Sequence, residues 1–417
     1  MKPEEGERAH LTPRVLPGGT HALFTIWTGA AFEDAQIGVV DLSTGEHQVI
    51  LRGGADARYL TSGHLVYARG ATIMAAPFDP SSLRVTGEGL PMMDNVRFSG
   101  DAGTSFLTTA MNGTIGYVPG TVIYTPTTIS LYEGERKIRE IRSEGKALGD
   151  PMFAPDGRRL GLTIFGTTYH QAAYDLHRDI LTQLTSSADN WRSVWRRDAS
   201  SITFSSNLSG RYYVYTVPAD GSGPPEKLFE QEGNPYPGSW TPDDGMLAYV
   251  VMSKETQEDV WVHSKTGEQQ LRPVIQSPAM ENSPRISPDG RWIAYVSNES
   301  GQNEVYVRPF PEGAGKWRMS NGRGLIPRWA PDGKRLYFAR EDRILSVSVS
   351  IVSKGNSSAM DIGREEQVLS VNGLTGFDIS PNGRTFVVAQ QGVGTLPDKL
   401  HLVLNWFEEL KVKVPAK

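Results

Sequence analysis

Short apolar runs alternate with polar turns along the whole chain, and residues 281–324 show this pattern most clearly. Pro284-Arg285-Ile286 leads into the turn Ser287-Pro288-Asp289-Gly290, in which proline presets φ, aspartate bonds back to the backbone and glycine accepts a positive φ. The runs Trp292–Val296, Glu304–Arg308 and Lys316–Met319 follow, and their aromatic and β-branched residues are typical of strands. We therefore expect four short antiparallel strands from this segment.

The same pattern recurs at a nearly fixed step. Nine turn signals, several of them Pro-Asp-Gly, are centred on residues 18, 62, 112, 156, 198, 243, 289, 332 and 382, so that the steps run from 42 to 50 residues. A period in the forties with four strands per unit is typical of propeller blades. The pattern predicts an all-β fold: one β-propeller domain over residues 1–417 with nine four-stranded antiparallel blades, or eight if the 50-residue steps conceal an irregular unit.

The turn positions also set the predicted blade boundaries and raise the question of closure. The predicted blades span residues 10–54, 55–97, 98–146, 147–189, 190–234, 235–280, 281–324, 325–371 and 372–410. The last of these lacks a clear fourth strand, and propellers avoid a free edge by taking that strand from the opposite terminus. We expect closure between the chain ends, with Glu4–His10 as the closing strand and Leu410–Val414 as the competing candidate.

Composition and charge narrow the function. The net charge of −5 and the lack of a Lys/Arg-rich run give no electrostatic basis for nucleic-acid binding. The chain has no cysteine, which excludes disulfides, thiolate catalysis and Cys-based zinc sites. No apolar run is long enough to cross a bilayer, and Met1–His10 is too polar for a signal peptide. We expect a monomer that does not insert into a membrane.

Repeat units such as Pro284–Ser297 resemble the WD40-like (PD40) repeat of TolB-type propellers. Four longer stretches resemble the C-terminal propeller of bacterial serine/threonine protein kinases: Ala22–Thr28, Gly63–Ala68, Asn303–Phe310 and Leu404–Leu410. In that family the kinase precedes a membrane span and the propeller is regarded as an extracytoplasmic sensor, but this chain contains no kinase motif. The resemblance implies a bacterial protein, extracytoplasmic if it is part of a membrane-anchored kinase and otherwise cytoplasmic.

Propeller geometry selects the candidate metal ligands. Residues at the start of each inner strand surround the central channel, on the face opposite the Pro-Asp-Gly turns. Carboxylates and amides prevail there, and such hard oxygen ligands suit Ca²⁺ or another divalent cation. The candidate ligands are Asp56, Asp101, Asp150, Asn190, Asn234 and Glu281, with Glu33, Asp34, Glu258 and Asp259 in neighbouring loops. Because such residues also cap turns, a purely structural role is the competing interpretation.

The sequence is compatible with two functions. The first is a non-catalytic sensor or interaction propeller that binds a small molecule, a peptide or a protein partner at the channel face, with Arg58, Trp191 and Asn282 as candidate ligand-binding residues. The second is a metal-dependent hydrolase of esters, lactones or phosphotriesters, in which the ion activates water and His170 is the candidate base. No Gly-x-Ser-x-Gly or His-Glu-x-x-His motif is present.

Overall fold

Strands make up nearly all regular structure in the chain. The structure is a computed structural model that describes residues 2, 7, 9–28, 32–100, 102–110, 112–123, 127–141, 146–166, 168–253, 256–266, 270–354, 357–392 and 399–415. The chain divides into two compact units, unit 1 with residues 1–125 and 393–417, and unit 2 with residues 126–392. The structure thus has two compact units where the sequence predicts one domain over residues 1–417.

Unit 1 begins with two antiparallel sheets that match the first two predicted blades. The first sheet has the order β1 (Ala9–Val15), β2 (His21–Trp27), β3 (Gln36–Asp41) and β4 (His47–Arg52), with a short 3-10 helix, Phe32–Asp34, before β3. The second contains β5 (Ala55–Leu60), β6 (His64–Arg69), β7 (Thr72–Asp79), β8 (Arg84–Val85) and β9 (Leu90–Met93), in which β8 and β9 both pair with β7. Leu23, Ile37, Val39 and Leu65 pack in the shared core of these two sheets.

The third predicted blade, residues 98–146, does not form one sheet. Its first part forms the short strands β10 (Phe98–Ser99), β11 (Thr104–Ser105), β12 (Leu107–Thr109), β13 (Ile115–Tyr117) and β14 (Val122–Ile123) of unit 1. Its second part forms β15 (Thr127–Glu133) and β16 (Arg136–Ile141) of unit 2. The unit boundary thus falls inside one repeat of the turn pattern, because a small β12–β13 hairpin carries the same local turn signal as a blade.

Unit 2 contains five consecutive blades that match the predicted segments from residue 147 to residue 371. The first blade contains β17 (Ala147–Phe153), β18 (Arg159–Phe165), β19 (His170–Asp175) and β20 (Ile180–Gln183), and the second contains β21 (Asn190–Trp195), β22 (Ser201–Ser206), β23 (Tyr213–Pro218) and β24 (Glu226–Phe229). The third contains β25 (Tyr236–Trp240), β26 (Met246–Ser253), β27 (Gln257–Ser264) and β28 (Leu271–Ile275), and the fourth contains β29 (Glu281–Ile286), β30 (Trp292–Ser297), β31 (Glu304–Pro309) and β32 (Trp317–Arg318). The fifth contains β33 (Leu325–Trp329), β34 (Arg335–Arg340), β35 (Arg343–Lys354), β36 (Ser357–Ile362) and β37 (Glu366–Ser370). In the fifth, β36 and β37 both pair with β35. This additional hairpin accounts for one of the two 50-residue steps.

A sixth blade closes unit 2 on itself. Strands β38 (Leu374–Ile379) and β39 (Thr385–Gln391) form one sheet with β15 and β16, and β15 pairs antiparallel with β39 from Thr127–Gln391 to Glu133–Thr385. The all-β class and the four-stranded antiparallel blades are confirmed, but the propeller of unit 2 has six blades and closes between residues 127 and 391. Joining the two ends of the unit in one blade leaves no open sheet edge at the junction.

Within the described residues, neither predicted closing strand closes the propeller of unit 2. His10 lies in β1, which pairs with β2, whereas residues 3–6 and 8 lie outside the described residues. The competing segment lies in unit 1, where β40 (His401–Val403) pairs with β13 and is followed by α1 (Trp406–Lys413). Trp406 and Leu410 of this helix are fully buried, so the tail packs as a helix rather than as a strand. In the described part of the chain, no helix has the length and apolar character of a membrane span.

Candidate functional site

Two cavities with shared walls lie along the axis of unit 2. A cavity of about 90 Å³ on the side where the inner strands begin is lined from all six blades, by Asp150, Arg192, Tyr236, Ser283, Ile326 and Thr375 among others. A larger one of about 380 Å³ lies at the opposite end. Met152, Gly238, Arg285 and Arg328 line both cavities, so the two arginines stand at the narrow part between the openings.

A β-bulge in each inner strand places these side chains. The pairing register shifts in β17, β21, β25, β29, β33 and β38, and four of these bulges contain a left-handed residue: Asp150 (φ 49°), Arg192 (φ 55°), Ser283 (φ 53°) and Ile326 (φ 54°). Bulges bend a strand and re-aim the residues beside them. Arg285 and Arg328 each lie two residues after a left-handed residue, in equivalent places of consecutive blades.

Arg328 forms a buried ion pair at the narrow part of the channel. Its Nε donates to Oδ1 of Asp378 at 3.0 Å, and Oδ2 of Asp378 accepts from the backbone N–H of Phe153 at 2.8 Å. Burial lowers the pKa of Arg328 and raises the pKa of Asp378, while the opposite charge of each partner counteracts the effect. The pair is nearly neutral as a unit and ties two blades together.

The positive charge of Arg285 is not balanced by the ion pair between Arg328 and Asp378. Its Nε is buried without an acceptor, and within the described part of the chain its guanidinium forms no ion pair. Burial and, next, the positive charge of Arg328 hold its pKa well below the ordinary value, and Asp378 counteracts this only in part. A guanidinium does not release its proton under physiological conditions, so this site favours an anion.

Arg192 and Asp150 add one positive and one negative charge at the narrower opening, that of the cavity of about 90 Å³. The exposed guanidinium of Arg192 lies over the rings of Trp191 and Tyr236, 5.7 and 5.6 Å from their centroids. Asp150 is exposed and accepts a hydrogen bond from the Thr163 hydroxyl at 3.3 Å. Four arginines, Arg192, Arg197, Arg285 and Arg328, therefore line the two cavities with only two aspartates, Asp150 and Asp378, so that the channel walls carry a net positive charge.

The larger cavity opens among the Pro-Asp-Gly turns. Its lining includes the turn prolines Pro155, Pro242, Pro288, Pro331 and Pro381. Trp195, Trp240 and Trp329 also reach it, although Trp195 and Trp240 are mainly buried core residues. From the sequence, these prolines are expected only to form turns on the face opposite the candidate ligands. In the structure they also form a rigid, apolar wall around an opening.

The candidate residues Asp56 and Arg58 belong to unit 1 and hold each other there. Oδ2 of Asp56 accepts from Arg58 Nη2 at 2.9 Å and from the Ser105 hydroxyl and backbone N–H at 2.7 and 3.0 Å. Oδ1 of Asp56 accepts from Arg14 Nη2 at 3.3 Å. Both carboxylate oxygens already have donors, so the contacts of Asp56 support a structural role rather than metal binding.

The remaining candidates of unit 2 are dispersed. Asn190 donates from Nδ2 to the carbonyls of Tyr169, Ser187 and Ala188, which is the contact set of a loop cap. Asn234 is a left-handed residue before β25, and Asn282 donates to Glu258 at 2.8 Å. Within the described residues, no group of three or more His, Asp or Glu side chains converges in this unit. The predicted ring of metal ligands is thus represented in the channel lining by Asp150 alone.

Glu281 and Asp259 are predicted oxygen ligands that lie buried in unit 2. Glu281 is 1% exposed and Asp259 0%, and among the described residues neither Oε2 of Glu281 nor Oδ1 of Asp259 has a hydrogen-bond partner. Burial, supplemented by the charge of Asp259, raises the pKa of Glu281. One proton or one cation at this pair would relieve the repulsion between the two carboxylates.

Of the four other predicted residues, the two whose side chains the structure describes, His170 and Asp34, give no chemical site. His170 bonds the Thr168 hydroxyl at 3.0 Å, burial lowers its pKa, and its side chain is not part of either cavity wall. Asp101 and the side chain of Glu33 lie outside the described residues. Asp34 is exposed in the short helix before β3.

Sequence reasoning missed Arg192, Arg197, Arg285, Arg328 and Asp378, which together with Asp150 form the charged part of the channel. A signal was present, because Pro-Arg follows a left-handed residue in three inner strands: Thr12-Pro13-Arg14, Ser283-Pro284-Arg285 and Ile326-Pro327-Arg328. The pattern was assigned only to strand formation. Trp191, a predicted ligand-binding residue, is not part of the cavity lining, but its ring packs against the guanidinium of Arg192.

Comparison with known proteins shows a likeness to TolB-type propellers. No family model matches the chain. An uncharacterised protein of Agrobacterium fabrum is 23% identical over 259 residues, 59% of this chain and 84% of that protein. The Tol-Pal system protein TolB of Desulfotalea psychrophila is 32% identical over 90 residues, which make up 21% of this chain and only 20% of that protein.

Solved structures extend the comparison to the fold. A structure assigned as TolB from Agrobacterium tumefaciens matches with a TM-score of 0.52 and 17% identity, over 64% of this chain and 99% of that one. TolB from Acinetobacter baumannii matches with a TM-score of 0.44 and 14% identity, over 86% and 77% of the two chains. The predicted resemblance to TolB-type propellers is confirmed at the level of the fold. The resemblance to kinase-attached propellers stays a prediction.

Proposed function

We propose that unit 2 is a non-catalytic recognition propeller that binds an acidic peptide segment of a partner protein in its channel. The charged channel supports the anionic character of the ligand, and the two openings support an extended one. The likeness to a protein of the Tol-Pal system supports a protein partner in general. If the chain is attached to a membrane-anchored kinase, as its resemblance implies, this recognition would take place outside the cytoplasm of a bacterium.

The observation that carries the proposal is the Arg285 guanidinium. Its Nε lies buried at the narrow part of the channel with no acceptor from the part of the chain that the structure describes, and the nearby carboxylate of Asp378 is held by Arg328. A guanidinium offers five N–H donors in a planar arrangement that matches a carboxylate. An aspartate or glutamate side chain of a ligand would supply both the missing acceptor and the missing negative charge.

The dimensions favour an extended segment over a folded one. The cavity at the narrow opening has a volume of about 90 Å³, which suits a single side chain, whereas the opening among the turn prolines offers about 380 Å³. Proline and tryptophan walls bind extended peptides well, because they are rigid and lose little conformational entropy. We infer that the peptide lies in the wider opening and directs a carboxylate toward Arg285.

The hydrolase alternative has no comparable support. A metal-dependent hydrolase needs a cation with an open coordination position next to a base. The candidate ligands Asp150, Asn190 and Asn234 have separate surroundings, and His170 does not line the channel. The hydrolase stays a hypothesis, and the recognition function is preferred.

Fluorescence anisotropy with a labelled Gly-Asp hexapeptide repeat tests the proposal, with the Gly-Asn repeat as the uncharged control. We expect the full chain to bind only the acidic peptide, and more weakly as salt rises. Arg285→Gln should weaken binding at least about tenfold, the loss of one charge-assisted contact. Arg291→Gln is the matched control, because Arg291 is 71% exposed and lines neither channel cavity.

Two results would overturn this assignment. Equal binding of the acidic and uncharged peptides would show that the channel charge has no role in recognition. Unchanged binding by the Arg285→Gln variant would place the peptide elsewhere. Free acetate, titrated separately, distinguishes the source of the carboxylate, because binding of acetate as tight as that of the peptide would assign the channel to small molecules instead of a protein partner.

A further inference from the structure

One face of the first sheet of unit 1 brings together a residue from each of its four strands. The four are His10 in β1, Phe24 in β2, Gly38 in β3 and His47 in β4. Phe24 pairs with Gly38 across the sheet, His10 with Ile26 and His47 with Val40, so all of them lie on one face. Alternate residues such as Leu23 and Val39 point the other way, into the core shared with the second sheet.

Glu7 covers this face from the segment that precedes β1. Its Oε2 lies 3.0 Å from Nε2 of His10, and its Oε1 lies 2.8 Å from Nε2 of His47. The ligand atoms of these three residues all lie within 4.8 Å of one another. Glu7 is 4% exposed, and its Oε2 also accepts from the backbone N–H of Lys2. A carboxylate and two imidazole nitrogens therefore converge on one point.

Aromatic packing holds the two imidazoles in this arrangement. Gly38 has no Cβ, and a Cβ there would lie 2.7 Å from Cζ of Phe24, so the glycine lets the Phe24 ring lie over β3. The rings of His10 and His47 pack against Phe24 with centroid distances of 4.5 and 5.6 Å. They meet each other edge to face at 5.1 Å and 78°. The geometry is thus fixed by the sheet as well as by Glu7.

We propose that Glu7, His10 and His47 bind a divalent transition-metal ion, with Zn²⁺ as the expected ion. Two imidazole nitrogens and one carboxylate oxygen form a known three-residue zinc ligand set that leaves a fourth position for water. Imidazole ligands favour Zn²⁺, Cu²⁺ and Ni²⁺ over Ca²⁺ and Mg²⁺. On binding, both Nε2 atoms give lone pairs to the ion, so each neutral imidazole carries its proton on Nδ1.

The surroundings of these three residues favour metal binding. Burial lowers the pKa of His10 and so disfavours the protonated imidazole, which cannot bind a metal. Burial opposes ionisation of Glu7, but hydrogen bonds from His47, the Lys2 amide and His10 lower its pKa overall. The ion would join the segment before β1 to the outer strand β4, 40 residues along the chain, and so serve as a structural clamp for the first sheet.

The competing explanation is a hydrogen-bonded triad that needs no ion. Visible absorption of Co²⁺ added to the tag-free, metal-stripped full chain separates the two, because four-coordinate Co²⁺ absorbs far more strongly than the hydrated ion. We expect intense absorption at one equivalent of Co²⁺ and its loss when Zn²⁺ is added. His47→Gln and His10→Gln should each weaken Zn²⁺ binding by more than the roughly 10–100-fold that loss of an outer partner costs.

His21→Gln is the matched control. His21 lies in the same sheet, 3.7 Å from a single carboxylate oxygen of Asp41, and its loss should leave Co²⁺ absorption unchanged. Glu7→Gln keeps an acceptor oxygen for the imidazoles but removes the charge, so it should remain folded by circular dichroism while it loses the metal. A wild-type spectrum equal to that of hydrated Co²⁺ would overturn the proposal. So would Zn²⁺ binding by His47→Gln as tight as that of the wild type.

Discussion

Arg328 donates from Nε to Oδ1 of Asp378 at 3.0 Å, and this ion pair is only 13% and 12% exposed on its two sides. Arg285 has the equivalent position in the preceding blade, two residues after a left-handed bulge residue, but it has no ion pair within the described residues. One bulge geometry thus serves two purposes. The paired arginine contributes to stability, and the unpaired one is available to a ligand.

This difference predicts opposite effects of the same substitution. Arg328→Met should lower the free energy of unfolding by about 3 kcal/mol, because it leaves the Asp378 carboxylate buried without its partner. Arg285→Met should raise it by about 1 kcal/mol in the absence of ligand, because it removes a buried charge that has no counter-ion. Urea unfolding followed by tryptophan fluorescence measures both. A similar loss in the two variants would mean that Arg285 is compensated in the free protein.

The buried carboxylates of Glu281 and Asp259 predict a pH dependence. The raised pKa of Glu281 means that the folded state keeps its proton to higher pH than the unfolded chain does. Stability from this group is therefore complete below the ordinary glutamate value of 4.5 and is lost as pH rises from there through the folded pKa. Glu281→Gln should flatten this part of the profile of unfolding free energy against pH and stabilise the protein at pH 7.

Glu226→Gln is the control for this profile, because Glu226 is exposed on β24 and should leave the slope unchanged. Calcium distinguishes the two ways of neutralising the pair. If a proton neutralises it, added Ca²⁺ leaves the wild-type melting temperature at pH 7 unchanged. A calcium-dependent rise that is absent in Glu281→Gln would instead assign a cation to Glu281 and Asp259, as the sequence predicts for Glu281. A profile with the same slope in wild type and Glu281→Gln would contradict the buried pair altogether.

Local chemistry explains why most of the blades could be predicted. Turns such as Ser287–Gly290 are determined by neighbouring residues, since Asp289 accepts from the Ser287 hydroxyl at 2.6 Å and Gly290 has a φ of 73°. The unit boundary could not be predicted in this way. Asn112-Gly113 forms a true hairpin turn in unit 1, and nothing local distinguishes it from a blade turn. Which hairpin joins which sheet is decided by long-range pairing such as that of β15 with β39.

The candidate site was harder to predict, for the same reason. The position of a side chain in the channel depends on bulges in six strands that meet only in the folded propeller. A place at the start of an inner strand suggested Asp56, whose oxygens are already engaged by Arg58, Arg14 and Ser105. The same criterion gave no weight to Arg285, because an arginine in a short strand is usually a surface residue. Only the hydrogen-bond and ion-pair partners of a charged group show whether it has a structural role or is available to a ligand.

Trp195 and Trp329 make the same contact between neighbouring blades, which gives a third prediction. Nε1 of Trp195 donates to the carbonyl of Met152 at 3.2 Å, and Nε1 of Trp329 donates to the carbonyl of Arg285 at 3.0 Å. Trp→Phe at either position should cost about 1–3 kcal/mol, since a buried carbonyl loses its donor. Trp261→Phe is the control, because the buried Nε1 of Trp261 has no partner among the described residues and its removal should cost less. Equal costs at all three positions, measured by urea unfolding, would assign the effect to ring packing.

The closure of unit 2 predicts that residues 126–392 fold without the rest of the chain. All six blades and the pairing of β15 with β39 are contained in this segment. We expect it to unfold in one cooperative transition by calorimetry, because each blade packs on two neighbours. A chain of residues 147–392 lacks β15 and β16 and exposes the edge of β39, so we expect it to aggregate or to unfold without cooperativity. Equal cooperativity of the two chains would show that the sixth blade does not depend on its first two strands. Ile129→Asp in the longer chain, which places a charge at a position only 1% exposed in β15, should reproduce the defect without any deletion.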